Sequence, residues 1–394
     1  MNGNKGNWSE TYALIKLLAD QQLKVADKHL NPLPSVFYPI TKIIRNESAP
    51  SKKIFKIIEY SIDKVKNVVQ ISEPTKTPHE IVPISEFNAN ALDLYSDIKA
   101  QRGSDSFSLP KYDSFLNKID VSKLGAKSKD KSDLNIEVHD LLTGTNPILG
   151  FSIKSILGQD STLLNPGAGT NFIFKITPPQ GVSVDVSEIN KSTYSGKESK
   201  AGRRITELTK LGCIIKFDSI QSKNFKLNLE LIDSRMPEII AYLILERFKQ
   251  NKRKIPELIK ILDSINPLGY DLSKHPFYEY KVKNFLVDSA LGMTPEKPWD
   301  GYYKTTGGII IVKESGDLVC FHVFNRNDFQ DYLLNISYLE GPSTGEDKDN
   351  PGNKKVNIPG SKKKSKEYYW SWVYEEGGDL FIKLNLQVRF GIRK

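Results

Sequence analysis

Hydrophobic and polar residues alternate in two rhythms along this chain. In the first, Tyr12, Leu14, Ile15 and Leu18 fall at helical spacing and predict a helix over residues 9–20, with Ser9 as its cap. The same spacing predicts helices over 86–100, 112–119, 201–211, 236–248, 256–265 and 276–291, and a short one in RNDFQDYLLN. The second rhythm repeats at every other residue, as strands do. It marks VFYPITKII, KIFKIIEYS and VKNVVQI between residues 35 and 72, and Pro39 places the first at a sheet edge or a bulge. It returns at 134–139 and 148–155, on either side of a polar turn at 143–147, and again in NFIFKIT, CIIKFDSI and FKLNLELI. NFIFKIT is expected as a third strand of the sheet begun by the 134–155 hairpin. Two further hairpins, GGIIIVKESGDLVCFHVFN and EYYWSWVYEEGGDLFIKLNLQVRF, turn at Ser-Gly and Gly-Gly-Asp. The pattern predicts an α+β (α/β) chain, divided into residues 1–235 and a helical and hairpin-rich 236–394.

Composition narrows the class. At 39% hydrophobic and 26% charged residues the chain is globular, and 394 residues suffice for one large or two ordinary domains. Lys and Arg number 56 against 47 Asp and Glu, a net charge of +9 that suits a polyanionic partner. Cys213 and Cys320 both lie in apolar runs and read as buried thiols, neither a disulfide nor a zinc site. No apolar run is long enough to cross a bilayer, so a cytoplasmic protein is expected with no membrane partner. The Walker, GxGxxG, HExxH and GxSxG motifs are all missing from the sequence.

The 133–155 hairpin holds the candidate chemistry. It sets Asp133, at the start of its first strand, opposite Ser152 and Lys154 in the second. A carboxylate beside a lysine can hold a divalent cation and orient water against a phosphodiester. The same alternation also describes an ordinary half-exposed strand. Glu10 is open in the same way: it is a first-turn acid favoured by the helix dipole, or a carboxylate that supports a metal.

GNWSE, GFSIKS, FNRNDFQDYLLN and KLNLQVRF, in that order from about Gly6 to Phe390, resemble the HpaII-type family of Type II restriction endonucleases. The resemblance implies a restriction-endonuclease-like core of the PD-(D/E)xK superfamily, a mixed β-sheet flanked by helices, with an added β-rich C-terminal region. It implies Mg²⁺, double-stranded DNA cut at CCGG to leave 5′-phosphates, and a companion cytosine methyltransferase. Asp133 then becomes the metal-binding aspartate and Lys154 the lysine that polarises water. Ser152 stands where the family pattern has a second acid, and serine binds magnesium weakly. Glu10 is the leading substitute, followed by Glu137 on the face of Asp133 and Asp140 near the turn. A rival reading is a non-catalytic DNA-binding protein that kept the fold and lost the acid.

For DNA contacts the candidates are Asn325, Arg326, Asn327 and Asp328 in FNRNDF, and Asn385, Gln387 and Arg389, which alternate along what reads as one strand face. Lys197, Lys200, Arg203 and Arg204 form a local basic patch. Six lysines between 354 and 366 make the loop at 345–367 the most basic run. A palindromic target suits a homodimer.

Overall fold

Asn4, rather than Ser9, starts the first helix. Its side chain accepts from the Asn7 backbone N–H at 3.0 Å, and Asn7 returns the bond, closing a capping box. Ser9 is buried within the helix and bonds to the Lys5 carbonyl at 2.8 Å. Glu10 therefore lies beyond the first turn, where the dipole argument loses its force.

The computed structural model describes residues 1–47, 56–101, 103, 105–125, 132–141, 143–158, 160–191, 199–322, 325–341 and 370–391. In chain order the elements are β1 (Asn2–Gly3), α1 (Lys5–Asp20), β2 (Gln22–Ala26), β3 (Pro32–Asn46), β4 (Ile57–Asp63), β5 (Val68–Ser72), β6 (Glu80–Pro83), α2 (Ile84–Ala100), β7 (Phe107–Ser108), α3 (Asp113–Lys118), β8 (Leu134–Val138) and β9 (Ile148–Ser155). There follow β10 (Ser161–Leu164), β11 (Asn171–Thr177), α4 (Val186–Lys191), α5 (Lys200–Lys210), β12 (Ile214–Ile220), α6 (Lys223–Ile232), α7 (Met236–Lys249), α8 (Ile255–Ile265) and α9 (Phe277–Leu291). The chain ends with β13 (Gly308–Val312), β14 (Leu318–His322), α10 (Arg326–Ile336), β15 (Ser337–Leu339), β16 (Val373–Glu376), β17 (Asp379–Asn385) and β18 (Val388–Phe390).

Two compact units share these elements. The first is Met1–Ser161 with Tyr303–Tyr332 and Gly391–Lys394; the second is Thr162–Tyr302 with Leu333–Phe390. These bounds differ from a single cut at residue 235, because the β13–β14 hairpin returns to the first unit and pairs parallel with β9. The first unit is built on a nine-stranded mixed sheet in the order β2-β14-β13-β9-β8-β3-β4-β5-β6. Pro39 lies in β3, an interior strand, next to an irregular register at Ile40/Lys42, so the bulge expectation holds and the edge does not.

Strand parity separates the two faces of this sheet. Ile43, Ile136, Phe151, Ile153, Ile310 and Val312 join one core with Trp8, Tyr12, Leu14 and Leu18 of α1 and Phe87 and Leu94 of α2. The Ser9 hydroxyl reaches that of Ser155 at 2.9 Å and ties α1 to β9 on this side. On the opposite parity Ser152 pairs with Ile309, and Ile309 with Phe321. Phe321 stacks on Phe329 and Tyr332 of α10, at centroid distances of 5.8 and 4.3 Å. The helix made from FNRNDF thus covers the same face that carries Ser152 and Lys154.

The second unit corrects two strand expectations. NFIFKIT forms β11 but pairs with β12 and β17 in a separate four-stranded sheet. FKLNLELI is not a strand; it is α6, capped by Ser222 on the Phe225 N–H at 3.2 Å. Its alternation hid a helical pair, since Phe225 and Leu229 are buried at i, i+4 while Leu227 and Leu231 are exposed. The last hairpin forms as read, β16 to β17, with Gly377 and Gly378 at φ 62° and 83° supplying the left-handed turn. Cys213 and Cys320 are buried free thiols. Among the described residues no helix is long and apolar enough to cross a membrane.

Candidate active site

The β8–β9 pairing sets Leu134 opposite Phe151, which brings Asp133 beside Ser152. Asp133 folds its carboxylate back over the neighbouring strand. Its Oδ2 accepts the Ile153 backbone N–H at 2.6 Å and the Ser152 hydroxyl at 3.1 Å. Its own N–H donates to the Phe151 carbonyl at 2.8 Å, so the side chain is fixed at both ends. Burial pushes the Asp133 carboxyl above the usual carboxylate range, while the Lys154 charge, the Ile153 amide, the Ser152 hydroxyl and Arg45 pull it back. Lys154 is half-buried on the Ser152 face, where period-two geometry places it. Asp133, Ser152 and Lys154 are therefore brought together as the sequence reading required.

Ser152 offers no charge to a cation. It is 4% exposed and its hydroxyl is spent as a donor to Asp133. Glu10 is half-buried on α1, with its Oε2 3.0 Å from the point a Cβ on Gly125 would occupy. Leu124, just before Gly125, offers its carbonyl to Arg45 Nη2 at 3.1 Å and to Thr11 Oγ1 at 2.7 Å. Arg45 is the same guanidinium whose charge reaches Asp133. A short chain of contacts thus connects the Glu10 helix to the Asp133 end of β8.

Glu137 and Asp140 are not brought to that end. Glu137 lies four residues along β8, about 13 Å at the usual strand rise, and accepts the Thr41 hydroxyl at 2.7 Å. Asp140 accepts the Thr143 hydroxyl at 2.8 Å inside the turn. Among the described residues no three His, Cys, Asp or Glu side chains gather closely enough to hold a metal. The donor set still suits a hard divalent cation of the magnesium type, which keeps most of its waters and needs one or two carboxylates. Asp133 has an Oδ1 with no partner among the described residues, and its burial cost is the kind a nearby cation relieves.

One element of this site gave no sequence signal. Arg45 and Glu47 form a buried ion pair at 2.5 Å, 3% and 1% exposed. Glu47 Oε2 also takes the Ser122 N–H and hydroxyl at 2.9 and 2.7 Å. In KIIRNE the pair looks like an ordinary charged strand end. Only the pattern of one acid and one base at i, i+2 hinted that they share a face.

The expected DNA contacts divide. Arg326 and Asn327 are exposed at the start of α10, and Asn325 Nδ2 holds Asp328 Oδ2 at 2.7 Å. Asn385, Gln387 and Arg389 do not share a strand: Asn385 ends β17, and Arg389 lies in β18 of another sheet. Asn385 and Gln387 are 3% and 6% exposed, so the solvent-facing row is corrected, because the Leu-Asn-Leu-Gln-Val alternation here spans the step between two buried strands. Arg204 is also buried. It donates to the Ser371 carbonyl and hydroxyl at 3.1 and 2.9 Å and to the Asn190 carbonyl at 3.1 Å, and lies 4.1 Å over the Trp372 ring. Lys200 and Arg203 are half-buried at the start of α5; Lys197 and the lysines at 354–366 lie outside the described residues.

No solved structure matches the chain. Type II restriction enzyme HpaII from Haemophilus parainfluenzae is 40% identical over 390 residues, which is 99% of this chain and 98% of that protein. The family model described as HpaII restriction endonuclease matches residues 4–353, a span that contains Glu10, Asp133, Ser152, Lys154 and the α10 helix. The chain belongs to the HpaII restriction endonuclease family.

Proposed function

We propose that this restriction endonuclease hydrolyses double-stranded DNA at CCGG with Mg²⁺, leaving 5′-phosphates, on a PD-(D/E)xK-type core. The observation that carries the reading is the Asp133 carboxylate, anchored across β9 and facing Lys154, in a chain of this family.

The roles follow from chemistry. Asp133, with Oδ2 committed to the backbone, presents Oδ1 as a fixed oxygen ligand. Glu10 supplies the second carboxylate that Ser152 lacks, and its helix is tied to β9 through Ser9 and Ser155. Ser152 orients Asp133. When bound, a divalent cation offsets charge developing at phosphorus and acidifies the attacking water. Lys154 adds a positive charge beside that water and favours the hydroxide form over a narrow approach line. Arg45 is held by Glu47 out of reach of substrate and tunes Asp133 through its charge alone. Arg326 and Asn327, exposed at the head of α10, would make the groove contacts. A two-fold dimer would match a palindrome, and a cytosine methyltransferase would protect host sites.

Lys154→Ala is expected to lower cleavage about 10²- to 10⁴-fold while duplex binding in EDTA is retained. Incubating unmethylated plasmid with the wild-type protein in Mg²⁺ or EDTA, and sequencing the fragment ends, reads target and stagger together. Cleavage by the Lys154→Ala protein at the wild-type rate removes the assignment. A gel shift with no Mg²⁺-dependent fragments points instead to a chain that kept the fold and lost the chemistry.

A further inference from the structure

In the second unit a cavity of about 90 Å³ opens beside the start of α5. Ser199, Arg247, Arg253, Trp370, Ser371 and Asn385 contribute its polar wall. Arg247 comes from α7 and is 2% exposed, yet its Nε and Nη1 have no hydrogen-bond partner among the described residues. Its guanidinium lies 4.4 Å from the Phe248 ring centre, which gives it a cation–π contact and no acceptor. Trp370 Nε1 is a second buried donor without a partner among the described residues. Glu340, the acid whose charge reaches Arg247, is held by Arg253 at 3.3 Å.

The contrast with Arg204 makes the point specific. Both arginines are 2% exposed or less, but Arg204 meets carbonyl and hydroxyl oxygens with two of its nitrogens. Burying a guanidinium without such oxygens leaves its desolvation uncompensated. Burial, then the Arg253 charge, bring the Arg247 group down to about 10, so it is still a cation at neutral pH. What answers a planar cation with two open N–H donors is an anion bearing several oxygens.

Two more features define the anion. The Ser199 hydroxyl caps α5 on the Gly202 N–H at 3.1 Å, and this eleven-residue helix turns its positive end to the cavity. Asn385 spends its Nδ2 on the Gly167 carbonyl and Asn171 Oδ1, at 2.8 and 2.7 Å, and leaves Oδ1 as a buried acceptor without a partner among the described residues. An acceptor in a wall of donors suits an oxyanion that still carries one O–H. Hydrogen phosphate has one at neutral pH, and sulfate does not.

From the orphaned Arg247 and Trp370 donors, the Asn385 acceptor and the α5 N-terminus, we infer that this cavity binds one oxyanion of the phosphate class. The source is free phosphate or a terminal phosphate monoester of DNA, since an internal phosphodiester has no O–H for Asn385; the DNA half rests on the endonuclease reading, and the anion half stands without it.

The test uses the full chain and reads binding, so it is independent of cleavage. Thermal unfolding midpoints are compared in phosphate, sulfate and chloride at equal ionic strength, with calorimetric titration of inorganic phosphate. Phosphate is expected to raise the midpoint above chloride, and by more than sulfate does. Ser199→Asp keeps an oxygen for the Gly202 N–H but sets a carboxylate at the cavity, and should weaken phosphate roughly tenfold or more. Arg247→Met should abolish the response; if that variant fails to fold, Ser199→Asp carries the test. Duplex binding in EDTA separates the sources. If a terminal DNA phosphate is the occupant, Ser199→Asp weakens a 5′-phosphorylated duplex and removes its advantage over the same duplex without that phosphate. If free phosphate is the occupant, the duplex affinity is unchanged and only the phosphate response is lost. A wild-type chain that treats phosphate like chloride, with duplex affinity untouched in Ser199→Asp, overturns the inference. A chain that takes phosphate but does not cut DNA keeps it and loses the nuclease reading instead.

Discussion

The surroundings of Asp133 push its carboxyl toward the protonated form. Burial raises its carboxyl above the ordinary range, so the folded state favours the protonated acid more than the unfolded chain does. The stability this group contributes is present at low pH and is lost as pH rises through the unfolded and then the folded value. At neutral pH the charge is a cost. Asp133→Asn keeps an oxygen for the Ile153 N–H and removes that charge. The variant is expected to melt above wild type at pH 7, to lose this advantage at about pH 3 and below, where the carboxyl is protonated in folded and unfolded chains alike, and to have no cleavage. Calorimetry at the two pH values checks this; equal destabilisation at both would mean that Asp133 is structural. Position likewise decides between the two carboxylates proposed beside Asp133, Glu10 and Glu137. Glu10→Gln should reduce cleavage about 10²-fold or more, with duplex binding in EDTA intact, whereas Glu137→Gln, far along β8 and already bonded to Thr41, should stay within a few-fold of wild type. The reverse result in single-turnover assays would move the site toward the turn.

At the scale of elements, β9 works because β13 can lie against it. Gly307 and Gly308 open β13 where nothing larger fits. A Cβ on Gly307 would sit 2.4 Å from the Phe151 ring, and one on Gly308 would sit 2.0 Å from the Phe321 carbonyl, at a φ of +114°. Gly308→Ala should therefore cost about 2–4 kcal/mol and displace the strand that carries Ser152 and Lys154. Urea unfolding measures the cost, and a loss below about 0.5 kcal/mol would show that the strand start yields freely. This strand also marks how far the sequence could be read. Phe151, Ser152, Ile153 and Lys154 alternate cleanly, and a tight polar turn fixed their register against β8. FKLNLELI alternates as well, but its Ser222 cap and the Phe225–Leu229 spacing made it a helix. In KLNLQVRF the alternation continues across a change of sheet, which no local pattern records. Arg204 looked like a surface base because its partners, Ser371 and Asn190, come from distant segments. Local rhythm was informative wherever a turn or cap closed it, and silent wherever partners came from far along the chain.

For the molecule as a whole, that long-range closure decides what a foldable piece is. A division at residue 235 is natural on the sequence, since the helices from α7 onward follow it. Yet the first unit takes its strands β13 and β14 from beyond residue 303. A fragment of residues 1–235 would leave β9 as a bare edge, with unpaired backbone groups along Phe151 to Ser155 and no Val312 or Ile310 closing the α1 core. It would also carry β11 and β12 without β17. Such a fragment is expected to aggregate or to unfold without cooperativity. A chain joining residues 1–161 to 303–332 through a flexible linker keeps every strand of the nine-stranded sheet, and should show a single cooperative urea transition with protected amides in β9. Amide exchange distinguishes the two designs directly. If the 1–235 fragment protects β9 and the joined chain does not, that strand is stabilised from within the N-terminal stretch, and the place of β13 beside it is incidental to the fold.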